Sequence, residues 1–321
     1  DRIKKGECEY ESGGHFVIKG NERVIVAQLR GNYNQVIVLH QKGSSKKTAS
    51  QGKPVKKKKK FSHVAEIRSM SEQTGHSVSL QVMIGDRTIV FSLPYIKELI
   101  PVGIVFKALG FCEDEEIINF IGLDSPECGL YMRIILRDSY FIRSKEDALK
   151  YIGQYSMHII PKEKRSEYAC QVVESELFPH LGICTSVKEK ALFLGHMVKK
   201  LLATKIGLRS PDDRDNLSNK RIETCGILCT ELFRTLYKKF LSTIRLQMEK
   251  KKSRLDALSI ISKLNTITNG LKHSFSTGNW GVQKNAYIRT GVSQVMSRMT
   301  FGATLSHTRR IVIPIGKEGK N

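Results

Sequence analysis

The chain is expected to adopt an α+β, multi-domain fold, and three observations lead to that expectation. Short runs of alternating apolar residues crowd the opening third, apolar residues at helical spacing dominate from residue 113 onward, and no internal repeat breaks that order. At 321 residues the chain exceeds a single typical domain. The result is a strand-rich beginning, an inserted mixed region, and long helices leading into a loop-rich basic module.

GGHFVIKGNERVIVAQL (13–29) reads as two strands joined by a turn at Gly20-Asn21, with Phe16–Ile18 and Val24–Val26 as the apolar runs. Val36–Leu39 is a third strand. QKGSSKKTASQGKPVKKKKK (41–60) has no apolar periodicity and reads as a disordered excursion. Its Lys56–Lys60 run also fits a nuclear-localisation signal. Strand patterning resumes in HVAEIR, SVSLQVMI and RTIVFSL, with a hairpin turn at Gly85-Asp86. IVFKALGF (104–111) is an apolar helix that Gly110 can end. EDEEIINFIG, KEDALKYIG and KEKRSEYACQVVESEL read as short helices between residues 113 and 177. VKEKALFLGHMVKKLLATKIGL (187–208) is amphipathic, with Leu192, Phe193, Met197, Leu201 and Leu202 on one stripe and His196 as a structural residue. A long helix is expected from about Ser218 to Lys250, capped by Asp215 or Ser218, with Ile227, Leu228, Leu232, Leu236 and Phe240 buried. Another helix runs through Leu271.

Composition narrows the partners. Hydrophobic content of 40% suits a soluble globular chain, but a formal charge of +22 does not suit neutral partners. Nine lysines fall in residues 41–60, which leaves about +13 for the rest. No long apolar run suggests a membrane span. Seven scattered cysteines, an odd number, argue for a reducing compartment over a disulfide framework. Cys225 and Cys229 share a helix face but lack the second ligand pair of a structural zinc site. Asp1 in place of methionine, and an end at Asn321 among Gly and Lys, read as cut ends.

Motifs for catalysis are weak. In PDDRD, Asp212, Asp213 and Asp215 surround Arg214, which favours a cap and salt-bridge network over a metal site. No nucleophile elbow gathers Ser, His and Asp, and His307 after Ser306 is only a dipeptide. STGNWG is no phosphate-binding loop of the P-loop kind, and no helix follows GGHFVIKG to present a dinucleotide.

The final fifty residues are different. They hold Lys272, Lys284, Arg289, Arg298, Arg309, Arg310, Lys317 and Lys320 among Gly, Ser, Thr, Asn and Gln, and Glu318 is the only acid. Spaced cations with neutral hydrogen-bonding neighbours suit a phosphate backbone. Gly278 and Gly281 flank Trp280, the only tryptophan, in a loop that allows close backbone approach. Helical spacing would set Gln294 and Arg298 on one face.

TGNWG, RTGVSQVMSRMTF, ATLSHTRR and PIGKEGK resemble the fork of the second-largest subunit of eukaryotic and archaeal-type multisubunit RNA polymerases, RNA polymerase II most closely. GGHFVIKGNERVIVAQ, HVAEIRS, LPYIKELIPVGIVFKALG, KALFLGHMVKKLL and DDRDNLSNKRIETCGILCTELFR are similar to it in the same order. The resemblance implies a partial chain: residues 1–29 close the first protrusion segment, 30–206 form the lobe, 207–265 return to the protrusion, and 266–321 begin the fork. It implies that Lys284, Arg289, Gln294, Arg298, Arg309, Arg310 and Lys317 contact the RNA–DNA hybrid or nucleic-acid backbone. The TGNWG loop would lie against the hybrid and IPIGKEG would face downstream DNA. SQVMSRMTFGATLSHTRR also resembles the bacterial segment lining the rifampicin pocket. The implied partners are the largest subunit, other polymerase subunits, template DNA and the hybrid. The family's Mg²⁺ is held mainly by the largest subunit and its zinc site lies outside this chain, so no cofactor is expected here. A nuclear location is implied, or a viral or cytoplasmic one, since Asn216, Leu217, Thr290, Thr308 and the 41–60 insertion depart from the family pattern. The alternative class is a stand-alone basic nucleic-acid-binding protein; a third is a scaffold that binds only through its lysine tract.

Overall fold

The computed structural model describes residues 4, 6, 8–41, 61–122, 126–157, 160–182, 185–250, 261, 264–281 and 289–313. The lysine tract from residue 42 to 60 lies outside them. The chain divides into two compact units, one of residues 1–31 with 217–321 and an inserted one of residues 32–216.

The first unit opens with β1 (Phe16–Ile18), β2 (Asn21–Ile25) and β3 (Ala27–Gly31). β1 and β2 are antiparallel, with Ile18 opposite Asn21. The turn therefore falls on Lys19-Gly20, one residue earlier than expected. Both have positive φ, 51° and 79°, the backbone that matches a tight hairpin to strand twist.

The inserted unit carries β4 (Ile37–His40), β5 (His63–Met70), β6 (Ser77–Ile84), β7 (Ile89–Ser92) and β8 (Ile100–Pro101). They form an antiparallel meander in chain order. β6 shows why: Val78, Leu80, Val82 and Ile84 alternate inward, as the period of a strand requires. Helices follow: α1 (Val102–Ala108), α2 (Asp114–Ile121), α3 (Cys128–Ser139), α4 (Lys145–Gln154), α5 (Arg165–Ser175) and α6 (Val187–Ile206). One core joins the sheet to these helices, with Phe91, Phe106, Phe178, Ile104 and Leu201 fully buried.

Several details depart from the sequence expectation. Helix α3 was not anticipated, because CGLYMRIILRDS interleaves polar residues that hide its buried stripe of Cys128, Met132 and Ile135. On α6 the buried stripe runs through Ala191, Leu194, Met197, Val198 and Leu201, whereas Leu192 is 48% exposed. Ser186 caps α6 by accepting from Glu189 N at 3.3 Å.

Two buried lysines hold helix ends together. Lys107 Nζ donates to Ser139 O at 3.0 Å and Ile142 O at 2.8 Å, at the carboxyl end of α3. Lys190 Nζ donates to Glu174 O at 2.6 Å, near the end of α5, while burial pushes its pKa down. An ammonium on outward-pointing carbonyls satisfies both partners and meets the negative end of a helix dipole. Of the PDDRD segment, Asp212 accepts from Val38 N at 2.9 Å and Arg214 Nη2 donates to Glu66 at 2.6 Å. The segment is a salt-bridge network, as expected, and the long helix begins well beyond it, at Cys225.

The chain then returns to the first unit with β9 (Lys220–Glu223), α7 (Cys225–Lys250), α8 (Thr266–Thr277), β10 (Ser293–Val295), α9 (Phe301–Thr308) and β11 (Ile311–Val312). The long helix thus begins seven residues later than expected, because residues 220–223 pair with β3. Leu228, Leu232 and Leu236 form its buried face, with Ile227 43% exposed. They pack with Phe275, Trp280 and Val292. Trp280 Nε1 donates to Leu228 O at 2.7 Å, so the indole N–H is not stranded in the core. Strands order as β1-β2-β10 and β11-β3-β9 in two small sheets. At the second, Glu223, 1% exposed, lies between Arg30 Nε at 3.1 Å and the Arg289 guanidinium. No helix among the described residues is long and apolar enough to cross a membrane.

Three substitutions test this packing. A Cβ at Gly195 of α6 would overlap the Phe120 carbonyl of α2, so Gly195→Ala is expected to cost on the order of 3 kcal/mol in denaturant titration. Glu223→Gln removes the buried carboxylate that two half-buried guanidinium groups share and is expected to cost about 3 kcal/mol. Glu249→Gln, whose partner Arg245 is 82% exposed, should change stability by less than about 0.5 kcal/mol.

Candidate nucleic-acid interface

The terminal module is acid-poor in sequence, but folding brings carboxylates to it from elsewhere. Arg298 follows β10 and meets the β1–β2 hairpin and the segment before it. Its Nε donates to Glu22 Oε2 at 2.7 Å, Nη2 to Glu22 Oε1 at 3.0 Å, and Nη1 to Glu11 Oε2 at 2.8 Å. The paired hydrogen bonds to Glu22 are the planar fork that a guanidinium offers and an ammonium does not. Hydrogen bonds from Arg298 hold the carboxyls of Glu11 and Glu22 below the usual carboxylate range, and those carboxylates raise the pKa of Arg298 in turn. His15 lies 3.8 Å from Glu11 and 3.7 Å from Glu22.

Arg289 is turned inward. Its side chain is 10% exposed, its Nη1 donates to Glu223, and Glu231 lies 3.9 Å away. Its backbone pairs with Trp280 in both directions, at 2.7 and 3.1 Å, closing the base of the TGNWG loop. Gly278 makes that closure possible: its φ is +75° and a Cβ there would collide with Ser293 O.

Gln294 and Arg298 do not share a helix. Ser293–Val295 is a strand, registered Ser293↔Ile25, Gln294↔Val24 and Val295↔Arg23 on β2. Gly291, at φ 74°, breaks any helix before it, and buried Val292 and Ser293 anchor the strand in the core. A helix begins only at Phe301, where Thr300 Oγ1 accepts from Ala303 N at 3.1 Å. Strand and helix are tied together by His307. Its Nδ1 accepts from Ser297 N at 3.1 Å and its Nε2 lies 3.1 Å from Gln294 Oε1. Gln294 Nε2 also donates to Gly291 O at 3.0 Å. His307 is 5% exposed. Burial first, and Arg310 second, lower its pKa.

Arg309 and Arg310 directly follow α9 and are both exposed. Met299 (90%), Phe301 (63%) and Val295 (58%), elsewhere in the same module, are exposed too. The folded module thus ties Gln294 to α9 through His307, braces Arg298 on Glu22 and Glu11, leaves Arg309 and Arg310 exposed, and turns Arg289 inward. Lys284 and Lys317 lie outside the described residues. Sequence reasoning missed Glu11, Glu22, Glu223 and His307. For His307 one signal was present: Thr304 and His307, three apart on α9, form its buried face.

Cys225 and Cys229 sit with Sγ atoms 3.8 Å apart. Burial, and then Cys225, push the Cys229 thiol up to about 12. Among the described residues no group of three or more His, Cys, Asp or Glu could hold a metal ion.

Residues 49–223 match the family model described as RNA polymerase Rpb2, domain 2. Over its whole length the chain is 39% identical to a probable DNA-directed RNA polymerase II subunit RPB2 homolog of Invertebrate iridescent virus 6, spanning 29% of that protein. Over 98% of its length it is 39% identical to DNA-directed RNA polymerase II subunit RPB2 of Schizosaccharomyces pombe, and it spans 26% of it. Identity is 33% to DNA-directed RNA polymerase subunit Rpo2 of Sulfolobus acidocaldarius, over 99% of the chain and 27% of the relative. The chain therefore spans between a quarter and a third of the length of these relatives. With the family model covering more than half of it, the chain belongs to the family of second-largest subunits of multisubunit RNA polymerases.

Proposed function

We propose that this chain is part of the second-largest subunit of a DNA-directed RNA polymerase, and that its terminal module holds the RNA–DNA hybrid and downstream DNA during template-directed RNA synthesis. Support for this reading comes from Arg309 and Arg310, two exposed arginines directly after α9, and from Gln294, whose amide is held by hydrogen bonds to Gly291 and to His307 of that helix. Guanidinium forks match phosphate oxygens, and an amide can read sugar or base edges. In this reading residues 30–206 are the lobe, which takes in most of the inserted unit, and residues 1–29 and 207–265 are protrusion. The fork begins near residue 266.

The work done here is positioning. Fixed cations hold a polyanion in register so that nucleotidyl transfer at a neighbouring centre meets an ordered substrate. The metal chemistry belongs to Mg²⁺ held mainly by the largest subunit, which is the proposed principal partner along with the other polymerase subunits and template DNA. The family's zinc site would lie outside this chain. The proposed location is the nucleus, or the site of viral transcription if the relationship to the iridescent virus protein marks the source.

The arginines divide by role. Arg298, anchored on Glu22 and Glu11, serves as a brace between the hairpin and the strand end, with its remaining exposure toward nucleic acid. Arg309 and Arg310 serve as direct phosphate contacts. In the assembled polymerase, Arg309→Ala or Arg310→Ala is expected to slow elongation several-fold and to reduce the salt dependence of hybrid retention by about one counterion. Affinity for DNA without a transcript should stay close to wild type. Tight binding by the isolated chain, with elongation in the variant enzyme unchanged, would instead favour a stand-alone binding protein. Arg298→Lys is expected to lower thermal stability while leaving the salt slope within error, because a lysine cannot reproduce the fork on Glu22.

A further inference from the structure

We infer that His307 is a positioning residue that fixes the orientation of the Gln294 amide toward nucleic acid. The inference rests on the reading of Gln294 as a contact to the hybrid, and it deepens that reading.

The hydrogen-bond pattern permits one arrangement. Ser297 N–H can only donate, so the Nδ1 it reaches at 3.1 Å bears no proton. Gly291 O can only accept, so the Gln294 amide nitrogen must face it at 3.0 Å, which turns Oε1 toward His307. That oxygen needs a donor, and His307 Nε2, 3.1 Å away, supplies it. Two independent constraints, one at each ring nitrogen, thus select the same neutral tautomer. A flipped amide would set a carbonyl against Gly291 O and an N–H against Nε2–H, losing both bonds. Gln294 keeps its second N–H and the second lone pair of Oε1 for an outside partner.

The surroundings favour the neutral ring. His307 is buried, and its backbone carbonyl accepts from Arg310 N at 3.4 Å, so the ring sits at the root of a cation. From β2, which packs on α9, the charged groups are Glu22 and Arg23, and Glu22 is engaged by Arg298. Thr304 Oγ1 donates to Ser297 O at 2.7 Å, which holds Ser297 in place beside the ring. A second proton on His307 would set two N–H groups against each other at Ser297.

Two near-isosteric substitutions separate the bonds. His307→Asn keeps an acceptor near the Nδ1 position for Ser297 N–H but removes the donor to Gln294. His307→Gln reaches the Nε2 position and restores that donor while giving up the bond to Ser297. The test uses the assembled polymerase carrying the full-length subunit, on a preformed RNA–DNA scaffold, measuring RNA release and nucleotide addition. His307→Asn is expected to speed RNA release about fivefold, Gln294→Ala to match it, and the double variant to be no worse than either. His307→Gln should recover most of the loss. Additive effects of the two single changes, or an Asn variant as good as wild type while Gln294→Ala is impaired, would overturn the positioning role. Wild-type RNA release by Gln294→Ala would instead overturn the reading of Gln294 on which it rests.

Discussion

The first unit closes only when residues about 270 positions apart meet. Ser293 pairs with Ile25, Gln294 with Val24, and Ile311 lies parallel to Ala27. Every feature of the terminal module hangs on that closure: Arg298 finds Glu22 because β10 lies on β2, and His307 finds Gln294 because α9 folds back on the same strand. Contacts so distant in sequence cost loop-closure entropy before they return anything. The apolar cluster of Leu228, Leu232, Leu236, Phe275, Trp280 and Val292 supplies the compensating burial. Trp280 is central to it because its side chain fills the core and bonds α7 while its backbone closes the loop to Arg289.

Charge in this protein follows space rather than sequence. A run with one acid in fifty residues gains Glu11, Glu22 and Glu223 as neighbours once folded. Arg289 becomes half of a largely buried pair and Arg298 a brace, while Arg309 and Arg310 after α9 stay exposed. Basic composition therefore marks the region as anion-binding without saying which cation does the binding. A buried guanidinium flanked by a carboxylate is costly to detach, so it is a poor candidate for a ligand that must come and go.

The sheet of the inserted unit was legible because its alternation is regular: HVAEIR and SVSLQVMI state their inward faces residue by residue. The helix stripe of α7 was legible at Leu228, Leu232 and Leu236 for the same reason. Helix α3 was not, since its apolar residues are diluted by Gly129, Arg133 and Arg137. Nor was β9, whose residues Lys220–Glu223 carry a single apolar side chain and become a strand only by pairing with β3. The helical spacing of Gln294 and Arg298 misled because a four-residue interval also occurs by chance in a strand that runs into a coil. His307 was visible as a residue and invisible as a device, because its meaning lies in two bonds to residues ten and thirteen positions away.

The pairing of β3 with β9 sets Gly31 opposite Lys220. The chain thus leaves the first unit and re-enters it through neighbouring strands, like a parenthesis opened and closed at one place. Nearly two hundred residues, 32–216, are suspended from that junction. A short turn joining the two strands would complete a hairpin with the same register, so the inserted unit occupies the place of a hairpin loop in the connectivity of the first unit.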